Sequence, residues 1–161
     1  MADITGAAGV LAVMGDILDT LLEYEKHTDS MINAELEILQ RALIARNELI
    51  QRLEELKQKL YGIVELELND ERILLKCLIE GSYVSALLDE VHKEIQLRQT
   101  QITMAKQRIL DKDKIISGQF KNQHVDSRKE LEQLKQTRQK IGYYNSAVVG
   151  RATGQSLNKN S

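Results

Sequence analysis

Proline and tryptophan are absent from the 161 residues, and phenylalanine occurs once. At an average usage of about 5%, a chain of this length would hold roughly eight prolines. Their absence removes the strongest helix breaker from the sequence. Aromatics make up 4% of the chain, which argues against a sheet protein, because strands favour aromatic and β-branched residues. Cys77 is the single cysteine, so a disulfide framework and a cysteine-based zinc site are both excluded. His27, His92 and His124 stand far apart with no i,i+4 pair, so no metal is expected. An excess of charge of one sign is missing as well. The net charge of −2 gives no basic footprint for nucleic acid. No apolar run reaches the ~18 residues of a membrane span. The start, MADITGAAGVLAVMGD, has a short run of small residues behind Asp3 and lacks the basic region of a signal peptide. A single free cysteine fits the same expectation, a cytoplasmic protein.

What remains is the palette of long helices. Charged residues make up 29%, with Glu, Lys, Arg and Gln set beside Leu and Ile. From about Gly9 to Leu68 the apolar residues follow a seven-residue cycle. One position reads Leu11, Leu18, Glu25, Ile32, Leu39, Arg46, Leu53, Leu60. Three residues later it reads Met14, Leu21, Thr28, Glu35, Ala42, Leu49, Leu56, Ile63, and a third position adds Leu22, Leu36, Leu43, Ile50 and Val64. Three apolar positions per cycle make the wide stripe of a helix packed in a bundle. The stripe weakens at Glu25–Ser30, where a kink or a stretch outside the core is expected. Asn69 and Asp70 can cap a new helix, and Glu71 suits its positive end, which places a turn near Asn69.

The second periodic segment is the clearest. Leu74, Gly81, Leu88, Ile95, Ile102, Ile109 and Ile116 recur every seven residues. Cys77, Val84, Val91 and Ala105 fill the partner position, and Arg98 interrupts it. Gly81–Ser82 inside a helix costs about 1 kcal/mol relative to Ala, so a close approach or a bend is expected there. At Ser117–Gly118 the register jumps by four, which one helix absorbs as a stutter or answers with a break. A break is the expectation, with a third helix from about Gln119 to Tyr143. Residues 146–161, SAVVGRATGQSLNKNS, read as a flexible tail.

The expected fold is all-α: an elongated antiparallel bundle of two to three long helices (about 9–68, 70–117 and 119–143) in a single domain, 1–145. No Gly-rich phosphate loop, GxSxG or other catalytic constellation occurs in the sequence. Neither an enzyme nor a cofactor is expected. The remaining class is a protein that binds other proteins.

Two stretches carry a family resemblance. ILDTLLEYEKHTDSMINAELEILQRALIARNELIQRLEEL resembles the opening helix of flagellar export chaperones of the FlgN and FliT kind, including the phrase RNELIQRL. LKQTRQKIGYYNSAVVG resembles their C-terminal end, where a basic amphipathic helix meets a Tyr and a short polar tail. Such chains often finish with an apolar-Asp-Lys phrase. Here SLNKNS keeps Leu157 and Lys159 and has Asn158 where the Asp stands. The resemblance implies a cytoplasmic chaperone, without ATP or catalysis, that binds the helical terminal segment of a hook–filament junction or cap protein and delivers it to the export gate. It implies Leu131, Leu134 and Ile141 as substrate-binding residues, and Tyr143 or Tyr144 as the contact with the gate. The implied partners are proteins, the chain itself being a monomer or weak dimer.

The plainer reading of those residues is bundle core and an ordered helix end. A different class of function also fits, a coiled-coil scaffold or stalk subunit that self-associates through the Leu74–Ile116 stripe. A regulator that binds a transcription factor, as some FliT-type chaperones do, is a third.

Overall fold

The computed structural model describes residues 5–144, with the side chains of all of these except 124–127, 130, 134 and 137–144. The chain is an all-α bundle of several long helices. In order they are α1 (Gly6–Met31), α2 (Leu36–Glu65), α3 (Asn69–Ile79) and α4 (Glu90–Tyr144). The chain divides into two units, Met1–Ile116 and Ser117–Ser161.

The repeat over 9–68 belongs to two helices, where one was expected. The chain turns back at Ile32–Glu35, and Asn33 takes φ 56°, a left-handed conformation that Asn tolerates better than most residues. A Cβ on Gly6 would stand 3.5 Å from the Glu67 carboxylate, so α1 and α2 run antiparallel. The seven-residue pattern passes through the turn unbroken because both helices bury the same repeat positions. Periodicity reports which face is covered and is silent about chain direction. The small residues at the start of the chain serve that packing: Gly9 and Val10 are buried, and Ala7 packs on the core.

The expected turn near Asn69 is present, with Asn69 itself at φ 47°. The side-chain cap expected from it is not formed. Leu68 is the N-cap and α3 carries no capping side-chain bond, while Asp70 and Glu71 occupy the first turn, where the helix dipole favours them.

The second expected helix, 70–117, is also divided. After α3, Gly81 adopts φ 74°. The Gly81 N–H donates to the Leu78 carbonyl at 3.2 Å, and the Ser82 N–H donates to the Cys77 carbonyl at 2.9 Å. That pair of bonds is the Schellman ending of a helix, and the left-handed residue at its corner is where glycine is favoured. Gly81 sits on the apolar repeat by coincidence of spacing. A non-helical segment follows, and α4 opens with Asp89 as its cap, whose Oδ1 accepts the His92 N–H at 2.9 Å.

The break expected at Ser117–Gly118 is absent, since α4 continues through it. A four-residue stutter leaves the helical hydrogen bonds intact, and one Gly costs less than ending the helix would. The expected tail, 146–161, lies outside the described residues.

The core belongs to the first unit. Val10, Val13 and Met14 of α1, Val64 of α2, Leu75 of α3 and Ile95 of α4 are all fully buried in one cluster. Ile102, Ala105 and Ile109 extend it along α4, and Ile116 joins Met31, Leu39 and Ala42 in a second, smaller cluster. Within this unit α4 runs parallel to α1, because Arg108 meets Glu25 and Lys112 meets Asp29. It runs antiparallel to α2, because Asp113 meets Arg46 while Ile116 reaches Leu39 and Ala42. The covered stripe is narrower than the sequence implies: Leu22, Leu36, Leu43 and Ile50, from the third repeat position, are exposed.

Candidate functional site

All five residues singled out by the resemblance fall on the second unit's part of α4. Leu131 is 58% exposed. The side chains of Leu134, Ile141, Tyr143 and Tyr144 lie outside the described residues, so they are placed on the helix and no further. Phe120 is exposed as well, and eleven residues separate it from Leu131, close to three turns, so the two share a face of the helix. Every described side chain after Ile116 is exposed except Gln119, which is partly covered. Arg128, Lys129 and Lys135 set basic charge among them. An exposed helix carrying apolar side chains on one face offers the anchors that a partner helix reads.

The first unit contains a polar layer that the sequence showed only as interruptions of its repeat. Glu25 and Thr28 are buried and α1 continues through them, so these positions are not left outside the core as expected. Arg108 grips Glu25 with two bonds, Nε–Oε2 at 2.9 Å and Nη2–Oε1 at 3.1 Å. Lys112 reaches Glu25 at 2.9 Å and Asp29 at 2.6 Å. These hydrogen bonds, from Arg108 first and Lys112 second, outweigh burial and hold the Glu25 carboxyl down at about 2. Arg46 sits on the same level from α2. It pairs with both carboxylate oxygens of Asp113 at 3.0 and 3.2 Å, donates to the Tyr24 hydroxyl, and lies 4.4 Å from the centre of the Tyr24 ring. Thr28 donates to the Tyr24 carbonyl at 2.9 Å. Among the described residues, no buried side-chain nitrogen or oxygen lacks a partner. The layer therefore fixes the level at which three helices meet.

A second polar cluster was not anticipated. His92, 8% exposed, holds Asp89 Oδ1 on Nδ1 at 2.5 Å and Glu71 Oε1 on Nε2 at 2.8 Å. With a carboxylate on each ring nitrogen, both nitrogens are satisfied as donors only in the imidazolium form. Burial works against that charge. The bonds to Glu71 and Asp89 outweigh it, so the pKa of His92 is raised. The cluster ties the first turn of α3 to the first turn of α4. Its sequence signal is Asp89 three residues before His92, the spacing of a helix cap.

A shallow cleft lies between the end of α3 and the first turns of α4, lined by Leu78, Tyr83, Lys93, Leu97 and Gln99 among others. Among the described residues, no group of three His, Cys, Asp or Glu is placed to hold a metal, and no helix is long and apolar enough to cross a membrane. Cys77 is partly buried. Compared with protein-family models, with curated proteins and with solved structures, the chain finds no match in any of the three.

Proposed function

We propose that this chain is a helical protein-binding module and, more specifically, an export chaperone of the FlgN and FliT kind. In this reading it is a cytoplasmic, elongated helical protein without catalytic activity. It receives the helical terminal segment of a hook–filament junction or cap protein and presents it to the export gate. The observation that carries the reading is the exposure of the described side chains after Ile116, with Phe120 and Leu131 on one face. A substrate helix would bury its own apolar stripe against that face, with anchors three, four and seven residues apart. The scaffold alternative has less support, because Ile95, Ile102, Ile109 and Ile116 are buried within their own chain. A stripe already covered is not available to join copies.

The test is titration of the chain with peptides spanning the terminal helices of hook–filament junction and cap proteins, followed by calorimetry. Binding is expected for at least one class. Leu131→Asp is expected to weaken it ten-fold or more and to leave the thermal midpoint of the first unit within about 2 °C, since surface changes are close to neutral. No binding by the unaltered chain, or equal binding by the variant, would remove the basis of the proposal.

A further inference from the structure

On α2 one exposed strip is free of charge for four turns. Leu36, Leu43 and Ile50 lie on it seven residues apart, 69%, 43% and 44% exposed, and Ile44 stands beside them at 62%. The residues between them on that face are Gln40, Asn47 and Gln51, all exposed. The strip ends at Glu54. On a chain that is 29% charged, apolar side chains interleaved only with amides mark a surface that neither water nor the core explains.

The charges along its outer edge say what fits it. In order they are Glu37, Arg41, Glu48 and Arg52, all exposed, with signs that alternate. We infer that a second copy of this chain docks on the strip in an antiparallel, two-fold arrangement centred between Ile44 and Ala45. Under that symmetry Glu37 of each copy faces Arg52 of the other, and Arg41 faces Glu48, giving four opposite-charge pairs. A parallel copy in register would set each of these charges against its own kind. The pattern is thus complementary to its own reverse, as a two-fold interface requires. Leu43 and Ile44 then flank the axis, and Leu36 of one copy comes level with the turn that carries Ile50 of the other.

Within one chain Arg41 bonds Glu37 at 2.7 Å, with both side chains 76% exposed. An exposed pair of this kind holds its partners only weakly, so both groups are free to turn to a second copy. The strip spans about 22 Å of helix at 1.5 Å per residue. With a helix about 10 Å across, the two strips together cover roughly 440 Å², well below the roughly 1,200 Å² at which stable interfaces begin, so the dimer is weak and depends on concentration. It stands apart from the export reading and survives that reading's failure.

Sedimentation velocity of the full chain between about 5 and 500 µM tests it. The expected result is a shift from monomer to dimer across that range, which weakens as salt screens the four pairs. Leu43→Glu is expected to weaken dimerisation at least ten-fold, with helix content and thermal midpoint unchanged. Arg41→Glu is expected to weaken it, and Arg41→Glu together with Glu48→Arg to restore it, since the double change exchanges the signs of the facing pair. A monomer throughout the range overturns the inference, and so does a dimer indifferent to Leu43→Glu. Failure of the double variant to restore what Arg41→Glu loses overturns the antiparallel register.

Discussion

Glu25 and Asp113 are both carboxylates paired with arginine, but the two sites carry different consequences. The partners of Glu25 have access to water: the Arg108 side chain is 45% exposed and that of Lys112 27%. Removing Glu25 lets them rehydrate in place. Arg46, the partner of Asp113, is only 13% exposed and is walled in by Tyr24 and Met31. Removing Asp113 leaves a guanidinium with little water and no anion, its remaining acceptors being the Tyr24 hydroxyl and the Met31 sulfur. Breaking a buried pair from one side costs about 3–5 kcal/mol when the remaining charge cannot be resolvated. Asp113→Ala is therefore expected to cost about 3 kcal/mol and Glu25→Ala about half of that, as read by urea unfolding. Equal losses would show that solvent reaches both sites alike. The polar positions were legible beforehand, because Glu25, Thr28 and Arg46 interrupt the apolar repeat, but a kink or a stretch outside the core was expected at Glu25–Ser30, and the burial of Glu25 and Thr28 is decided by packing. The partners were not legible, since 83 residues separate Glu25 from Arg108, and only the hairpin brings them together.

At the scale of the element, two glycines separate conformation from composition. Gly62 lies within α2, exposed, and a Cβ there would meet nothing within 4 Å. Gly81 holds φ 74° at the end of α3, with the Gln99 side chain 3.5 Å from where its Cβ would stand. Gly62→Ala is expected to stabilise the protein by about 0.5–1 kcal/mol, because Gly within a helix loses more backbone freedom on folding. Gly81→Ala is expected to destabilise it by about 1–2 kcal/mol, because a Cβ is disfavoured in the left-handed region. Thermal melts of the two variants should move in opposite directions, and movement in the same direction would mean that Gly81 is not held in its corner. The same comparison explains why the helix boundaries were misplaced. A seven-residue count cannot tell a glycine that spaces two core residues from a glycine that ends a helix, nor Asn33 in a turn from Asn33 on a surface. Both decisions rest on backbone bonds that form only once the next helix packs.

For the whole molecule, the two polar clusters act at opposite ends of the pH scale. Glu25 is held at about 2, below the ordinary value of 4.5, by Arg108 and Lys112. Its contribution is complete above pH 4.5 and is lost as pH falls towards 2. His92 is raised above its ordinary 6.5 by Glu71 and Asp89, against burial. Its contribution is complete below 6.5 and is lost as pH rises through the raised value. Thermal stability is therefore expected to be greatest between about pH 5 and 6 and to fall on both sides. His92→Asn should flatten the alkaline limb and also trim the acid limb, because the His92 side chain helps hold the Asp89 carboxyl below its ordinary value, whereas Glu25→Gln should shrink the acid limb and leave the fall above pH 6.5 in place. If Glu25→Gln also altered the fall above pH 6.5, the clusters would not be independent.

The sequence by itself determined that the chain is helical, that Ile95, Ile102, Ala105, Ile109 and Ile116 turn inward along α4 (though Val91, expected with them, is exposed), where α2 gives way to α3, and that polar residues interrupt the buried repeat. Each of these is a local or periodic property: missing prolines, helix formers, and apolar residues returning every seventh position. Only the tertiary structure decided the rest. It folded one repeat into the α1–α2 hairpin, turned Gly81 into a helix end, carried α4 through Gly118, and left Leu36, Leu43 and Ile50 uncovered. The physical reason is common to all four. Periodicity specifies a face for burial, whereas the number of neighbours available to cover that face depends on where the chain turns back. In this protein those turns are made by single asparagines and glycines whose conformation depends on the packing they permit.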